Sequence, residues 1–135
     1  MENQESTGSC LCGAVKFTIK ELNPKMSNCH CTMCQKASAS SFMTWAHGKL
    51  NQFEWKGGET NITGYKSSEN TTRSFCSTCG SHLPIIDEKG GTVYIPAGLL
   101  DPPVKGEIAM HMFIRSKPEW HKIGDNAPQH ETYPK

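Results

Sequence analysis

Residues Asn28 to Lys36 read N-C-H-C-T-M-C-Q-K, which places Cys29, Cys31 and Cys34 within six positions. Packing alone does not ask for such a density of thiols, whereas metal ligation does. Cys31-x-x-Cys34 is knuckle spacing, in which a tight turn brings two sulfurs to one ion. Cys29, two residues earlier, reaches the same ion from the extended side. Four more cysteines flank this cluster, Cys10 with Cys12 upstream and Cys76 with Cys79 downstream. Seven thiols divide naturally as four plus three. Four thiolates close a structural zinc site, and three leave a fourth position open, as in catalytic zinc.

Other uses of these thiols are weaker. A disulfide framework would leave one of seven cysteines over, and residues 1–9 lack the apolar segment of a secretory signal. The expectation is a cytoplasmic protein, where clustered thiols stay reduced and bind metal. Buried unligated cysteine suits single thiols better than pairs. Spacing alone leaves one alternative open for the central cluster: His111, His82, His47 or His121 could close it as a Cys₃His structural site. His30, wedged between two ligand positions, is expected to point away, to solvent or a supporting hydrogen bond.

The ligand type narrows the chemistry. Three thiolates on Zn²⁺ leave a net charge of −1, so the ion is a weaker Lewis acid than one held by three histidines. It suits a soft sulfur ligand better than hydroxide. A thiol bound there would lose its proton and become nucleophilic at neutral pH. The residues therefore point to thiol activation.

The chain has 135 residues, 36% of them hydrophobic, and a formal net charge of +1. That predicts one domain with a modest core, to whose folding metal contributes. Seven thiolates remove seven charges and two Zn²⁺ return four, giving −2. Neither value suits a nucleic-acid partner. No apolar run approaches the roughly 20 residues that span a bilayer, so no membrane partner is expected either.

Residues 1–8 read as a disordered leader. From Ser9, Val15, Phe17 and Ile19 alternate with polar or small residues, as in a half-buried strand with Cys10 and Cys12 on one face of its start. A short helical turn is predicted at residues 35–39, and strands near 41–46, 51–55, 60–65, 71–75, 83–86, 92–95 and 108–114. Turns are predicted at His47–Gly48, Lys56–Gly57–Gly58 and Lys89–Gly90–Gly91. Closely spaced short strands make the chain mainly β. Trp45, Trp55 and Trp120 are read as core, Trp120 pinning an irregular tail with a loose end at residues 126–135. Arg73, Lys36, Arg115 and Lys117 could meet substrate carboxylates, though lone basic residues are usually solvated surface.

Four motifs carry a resemblance. S-C-x-C-G-A-V-x-F at Ser9–Phe17, C-H-C-x-x-C at Cys29–Cys34, F-C-x-x-C-G-S at Phe75–Ser81 and H-M-F-I-R-S-K-P-E-W at His111–Trp120 resemble, in order, the glutathione-dependent formaldehyde-activating (GFA) family, which includes centromere protein V. The resemblance covers a zinc domain at about residues 9–125. It implies an Mss4-like β-tent of packed antiparallel sheets stapled by zinc. It also implies two Zn²⁺ per chain, a structural one on Cys10, Cys12, Cys76 and Cys79 and a catalytic one on Cys29, Cys31 and Cys34. The implied activity is of carbon–sulfur lyase type, joining glutathione to formaldehyde as S-hydroxymethylglutathione, with a small thiol and an aldehyde as partners. The alternative is a non-catalytic, zinc-stapled binding module. A concave pocket at Cys29–Cys34 rimmed by Arg or Lys would favour the enzyme, and a large exposed apolar patch the module.

Overall fold

The computed structural model describes residues 5–134. In chain order the elements are strands β1 (Ser6–Ser9), β2 (Lys16–Ile19) and β3 (Lys25–Cys29), helix α1 (Thr32–Ser38), and strands β4 (Met43–Lys49), β5 (Phe53–Gly57), β6 (Ile62–Ser68), β7 (Thr71–Cys76), β8 (His82–Leu83), β9 (Ile85–Asp87), β10 (Thr92–Pro96) and β11 (Glu107–Met112). The protein is mainly β, with three sheets ordered β1-β2-β5, β11-β3-β4-β10-β9 and β6-β7-β8. The expected sheets were all antiparallel, but the central one is mixed. β11 lies parallel to β3, with Met112 opposite Cys29.

Alternation along β2 buries Phe17 and Ile19, which join Ala46, Val93, Ile95 and Leu100 in the main core. Each such side chain contributes about 1.5–3 kcal/mol on removal from water. A second apolar cluster gathers Val15 and Leu83 around Cys10 and Cys76, and a third gathers Met43 and Trp45 around Cys29 and Cys34. Each cysteine group therefore sits on its own patch of core.

Several expectations are corrected. The predicted disordered leader falls partly outside the described residues, but β1 begins at Ser6 and pairs with β2 throughout. Gly8 makes this possible, since a Cβ there would collide with the Phe17 ring. Cys10 and Cys12 do not start an extended strand. Residues 10–15 form a tight turn closed by Gly13 N–H to Cys10 O at 3.0 Å, with Gly13 at φ +81. His47–Gly48 lies within β4 instead of turning, because β10 pairs along its full length. The strand expected at 83–86 is split at Pro84 between two sheets; proline has no N–H to continue a ladder.

The tail is not loose among its described residues. His111 N–H bonds Pro128 O, His130 N–H bonds His111 O, and Phe113 N–H bonds Thr132 O, at 2.8–3.1 Å. Trp120 does not pin it, being 75% exposed.

Candidate metal centres and cavity

The seven cysteines fall into two groups. In each, the sulfurs lie within 4.8 Å of one another: Cys10, Cys12, Cys76 and Cys79 in the first, Cys29, Cys31 and Cys34 in the second. All seven are free thiols.

Two glycine-closed turns build the first group. One carries Cys10 and Cys12, closed by Gly13. The other carries Cys76 and Cys79, closed by Gly80 N–H to Cys76 O at 2.8 Å with Gly80 at φ +79. Left-handed backbone at both sites is cheap only for glycine. Cys10 and Cys12 sulfurs are 3.6 Å apart, and those of Cys12 and Cys76 are 3.8 Å apart. A tetrahedron with Zn–S bonds of about 2.3 Å has edges of about 3.8 Å, and these two edges match it. Val15 N–H already donates to Cys10 Sγ at 3.3 Å.

The second group spans the end of β3 and the start of α1. Cys31 caps the helix, its sulfur accepting from Cys34 N–H at 3.3 Å. The helix therefore starts at Thr32, earlier than predicted, and places Cys34 one turn in. Ala39 closes it in the left-handed conformation at φ 54.

Hydrogen bonds from the neighbouring thiols of Cys29 and Cys34 push Cys31 down to about 2, with the Arg73 charge helping. The same sharing, with Cys31 foremost, pushes Cys29 up. One of the three ionises easily and its neighbours then resist. A bound cation is what lets all three be thiolates together. This donor set fits a thiophilic metal such as zinc.

The histidines considered as a fourth ligand lie outside the three-cysteine group. Among the described residues none joins the three-cysteine group. His82 Nε2 bonds Ala37 O at 2.6 Å. His121 stacks near Phe42 and His30. His47 lies near Tyr94 and, like it, lines the cavity that opens on the three cysteines, without joining their group. His111 is buried between His30 and Asp125, with His30 Nε2 to His111 Nδ1 at 3.1 Å and His111 Nε2 to Asp125 Oδ1 at 2.9 Å. A carboxylate only accepts, so His111 donates from Nε2, and as a neutral ring it then accepts at Nδ1 from His30. Burial holds the His30 ring down to about 4. His30 thus turns away from the ligand side, as expected, but into the protein.

More ties hold this loop from behind. Gln35 Nε2 donates to His30 O at 2.7 Å and to Ser116 O at 2.8 Å, and His30 N–H donates to Met112 O at 2.9 Å.

A cavity of about 860 Å³ opens on the three cysteines, walled by Trp45, Met110, Met112 and Phe113, with Lys25, Arg73 and Arg115 among its polar residues. Of the basic residues noted from sequence, Lys36 is not part of it. Lys117 instead ties a loop, donating to His121 O at 2.6 Å. Arg73 reaches Cys34 Sγ at 3.7 Å. Trp45, Tyr94 and the β11 methionines line the cavity unforeseen, because strand alternation tells which residues share a face but not what that face meets.

The model of the glutathione-dependent formaldehyde-activating enzyme family matches residues 5–116. The chain belongs to this family. A Halomonas elongata protein that provisionally bears the family's name is 29% identical over 128 residues, covering 86% of this chain and 79% of its own. A Schizosaccharomyces pombe protein called an uncharacterized lyase is 32% identical over 90 residues, covering 67% of this chain and 64% of its own. The chain thus spans under two-thirds of that yeast relative. A solved Rhodobacter sphaeroides protein shares the fold, with a TM-score of 0.63 at 23% identity, covering 76% of this chain and 96% of its own. Among the described residues no helix is long and apolar enough to cross a membrane.

Proposed function

We propose that this GFA-family protein is a zinc-dependent enzyme of the carbon–sulfur lyase class, condensing glutathione with formaldehyde to S-hydroxymethylglutathione. The observation that carries this reading is the basic-rimmed cavity opening on Cys29, Cys31 and Cys34. Its volume lies in the range of small-molecule sites, about 300–1,000 Å³. Family membership and the two relatives' names support the same class.

Cys10, Cys12, Cys76 and Cys79 would hold a structural Zn²⁺, and Cys29, Cys31 and Cys34 a catalytic one. When bound, the catalytic ion supplies a positive centre that favours the ionised form of a substrate thiol. The chain's own residues do the rest. Lys25 and Arg115 offer charges for the carboxylates of a peptide thiol. The wall of Trp45, Met112 and Phe113 limits water around the sulfur. In the condensation a sulfur–carbon bond forms, the carbonyl π bond opens, and the thiol proton ends on the former carbonyl oxygen. The reverse is the lyase direction.

The test is two-dimensional exchange NMR on reduced, zinc-loaded protein with glutathione and formaldehyde. Exchange between free thiol and hydroxymethyl adduct should rise with enzyme and fall to background for Cys31→Ser. Exchange unchanged by the wild-type protein would turn the reading toward the binding module.

A further inference from the structure

β7 alternates faces, so Arg73 and Cys76, three residues apart, project to opposite sides of the strand. Cys76 belongs to the four-cysteine group, whereas Arg73 reaches the three-cysteine one. Its Nη2 lies 3.7 Å from Cys34 Sγ. Its Nε and Nη1 are shut from solvent and have no hydrogen-bond partner, and neither the Lys56–Glu54 nor the His111–Asp125 pair involves it.

A guanidinium with two nitrogens shut from water, and with no ion pair to a carboxylate among the described residues, is costly unless another negative charge faces it. The charge at hand is that of the thiolates. Three thiolates around a divalent cation carry −1, and Arg73, which keeps its protons throughout, brings the assembly to zero. A fourth ligand that is itself an anion then enters a neutral surrounding instead of a negative one.

We propose that Arg73 makes the three-cysteine centre selective for an anionic sulfur ligand, a thiolate, over neutral donors. This inference rests on the open-site reading above and assigns Arg73 an electrostatic role that depends on its charge. Arg73 neither donates nor takes a proton in the reaction.

The test uses the full chain loaded with cobalt(II), whose absorption reports ligand exchange at the open centre. Wild type, Arg73→Gln and Arg73→Lys are titrated with glutathione, which enters as a thiolate, and with imidazole, which enters neutral. Arg73→Gln should bind glutathione on the order of tenfold to a hundredfold more weakly while binding imidazole as wild type does. Arg73→Lys should stay near wild type for both. Metal content and melting temperature accompany each variant. If Arg73→Gln does not keep two metals, Arg73→Met takes its place, and the contrast with Arg73→Lys remains the readout.

Equal loss of both ligands, no loss of either, or a lysine variant behaving like the neutral one would overturn the proposal. Those results would leave the open site standing. Wild-type bands indifferent to both ligands would bring down the open-site reading and this proposal together.

Discussion

Ala39 ends α1 at φ 54, in a conformation where a Cβ crowds the following carbonyl. Its N–H still bonds Gln35 O, so the cap is made at the cost of local strain. Ala39→Gly should therefore stabilise the protein by about 0.5–1 kcal/mol, the left-handed relief exceeding the added chain entropy. A denaturant midpoint that falls would contradict this. Cys31 is where the proposed function is tested most directly. It is the thiol most easily ionised and the cap of the helix that carries Cys34. Cys31→Ser should release one zinc of two and abolish adduct exchange while keeping the native circular dichroism. Zinc content per chain, measured on matched preparations, checks it.

At the scale of elements, the loop bearing the three cysteines is held from behind by β11 and the segment that follows. The chain Asp125–His111–His30 runs from the surface to a residue between Cys29 and Cys31. Asp125→Ala would leave His111 Nε2–H without its acceptor. The amides of His111, Phe113 and His130 should then exchange faster and the melting temperature should fall. Unchanged protection at Phe113 and His130 would show that the backbone bonds suffice. The hydrogen bond from His111 also holds the Asp125 carboxyl below its ordinary range. A depressed carboxyl stabilises the fold above its unfolded pKa, about 3.9, and that contribution is lost as pH falls through the folded value. Tail protection in the wild type should thus weaken below about pH 4, and in Asp125→Ala that acid step should be absent.

For the whole molecule, the four-cysteine group brings the turn after β1 beside the end of β7, 64 residues apart between Cys12 and Cys76. The apolar cluster beneath it is small, built on Val15 and Leu83. Domains of this size are stable by about 5–15 kcal/mol, and structural zinc in small domains binds with about 10 kcal/mol or more. Cys76→Ser should therefore abolish cooperative melting, whereas Cys31→Ser should not. Gradual chelation should release zinc in two steps, activity vanishing with the first and folded circular dichroism with the second. A single step taking both would mean that the two centres are not independent.

The division of seven thiols into four and three was legible in the sequence because ligand spacing is local: two cysteines one knuckle apart have few ways not to share an ion. The burial of Phe17 and Ile19 along β2 was legible for the same reason, their alternation being written residue by residue, whereas β3 at Lys25–Cys29 carries no such alternation and was not among the expected strands. Other features needed the third dimension. Arg73 reads as solvated surface until β7 sets it against Cys34. Trp120 reads as core yet stands in solvent, while the polar tail it was expected to pin is held by His111 and Asp125. His47 and Gly48 read as a turn until β10 supplies partners for their backbone. Sequence by itself determined which atoms could ligate and which residues alternate. Tertiary structure alone decided which charges face one another, because burial and counter-charge depend on segments far apart in the chain.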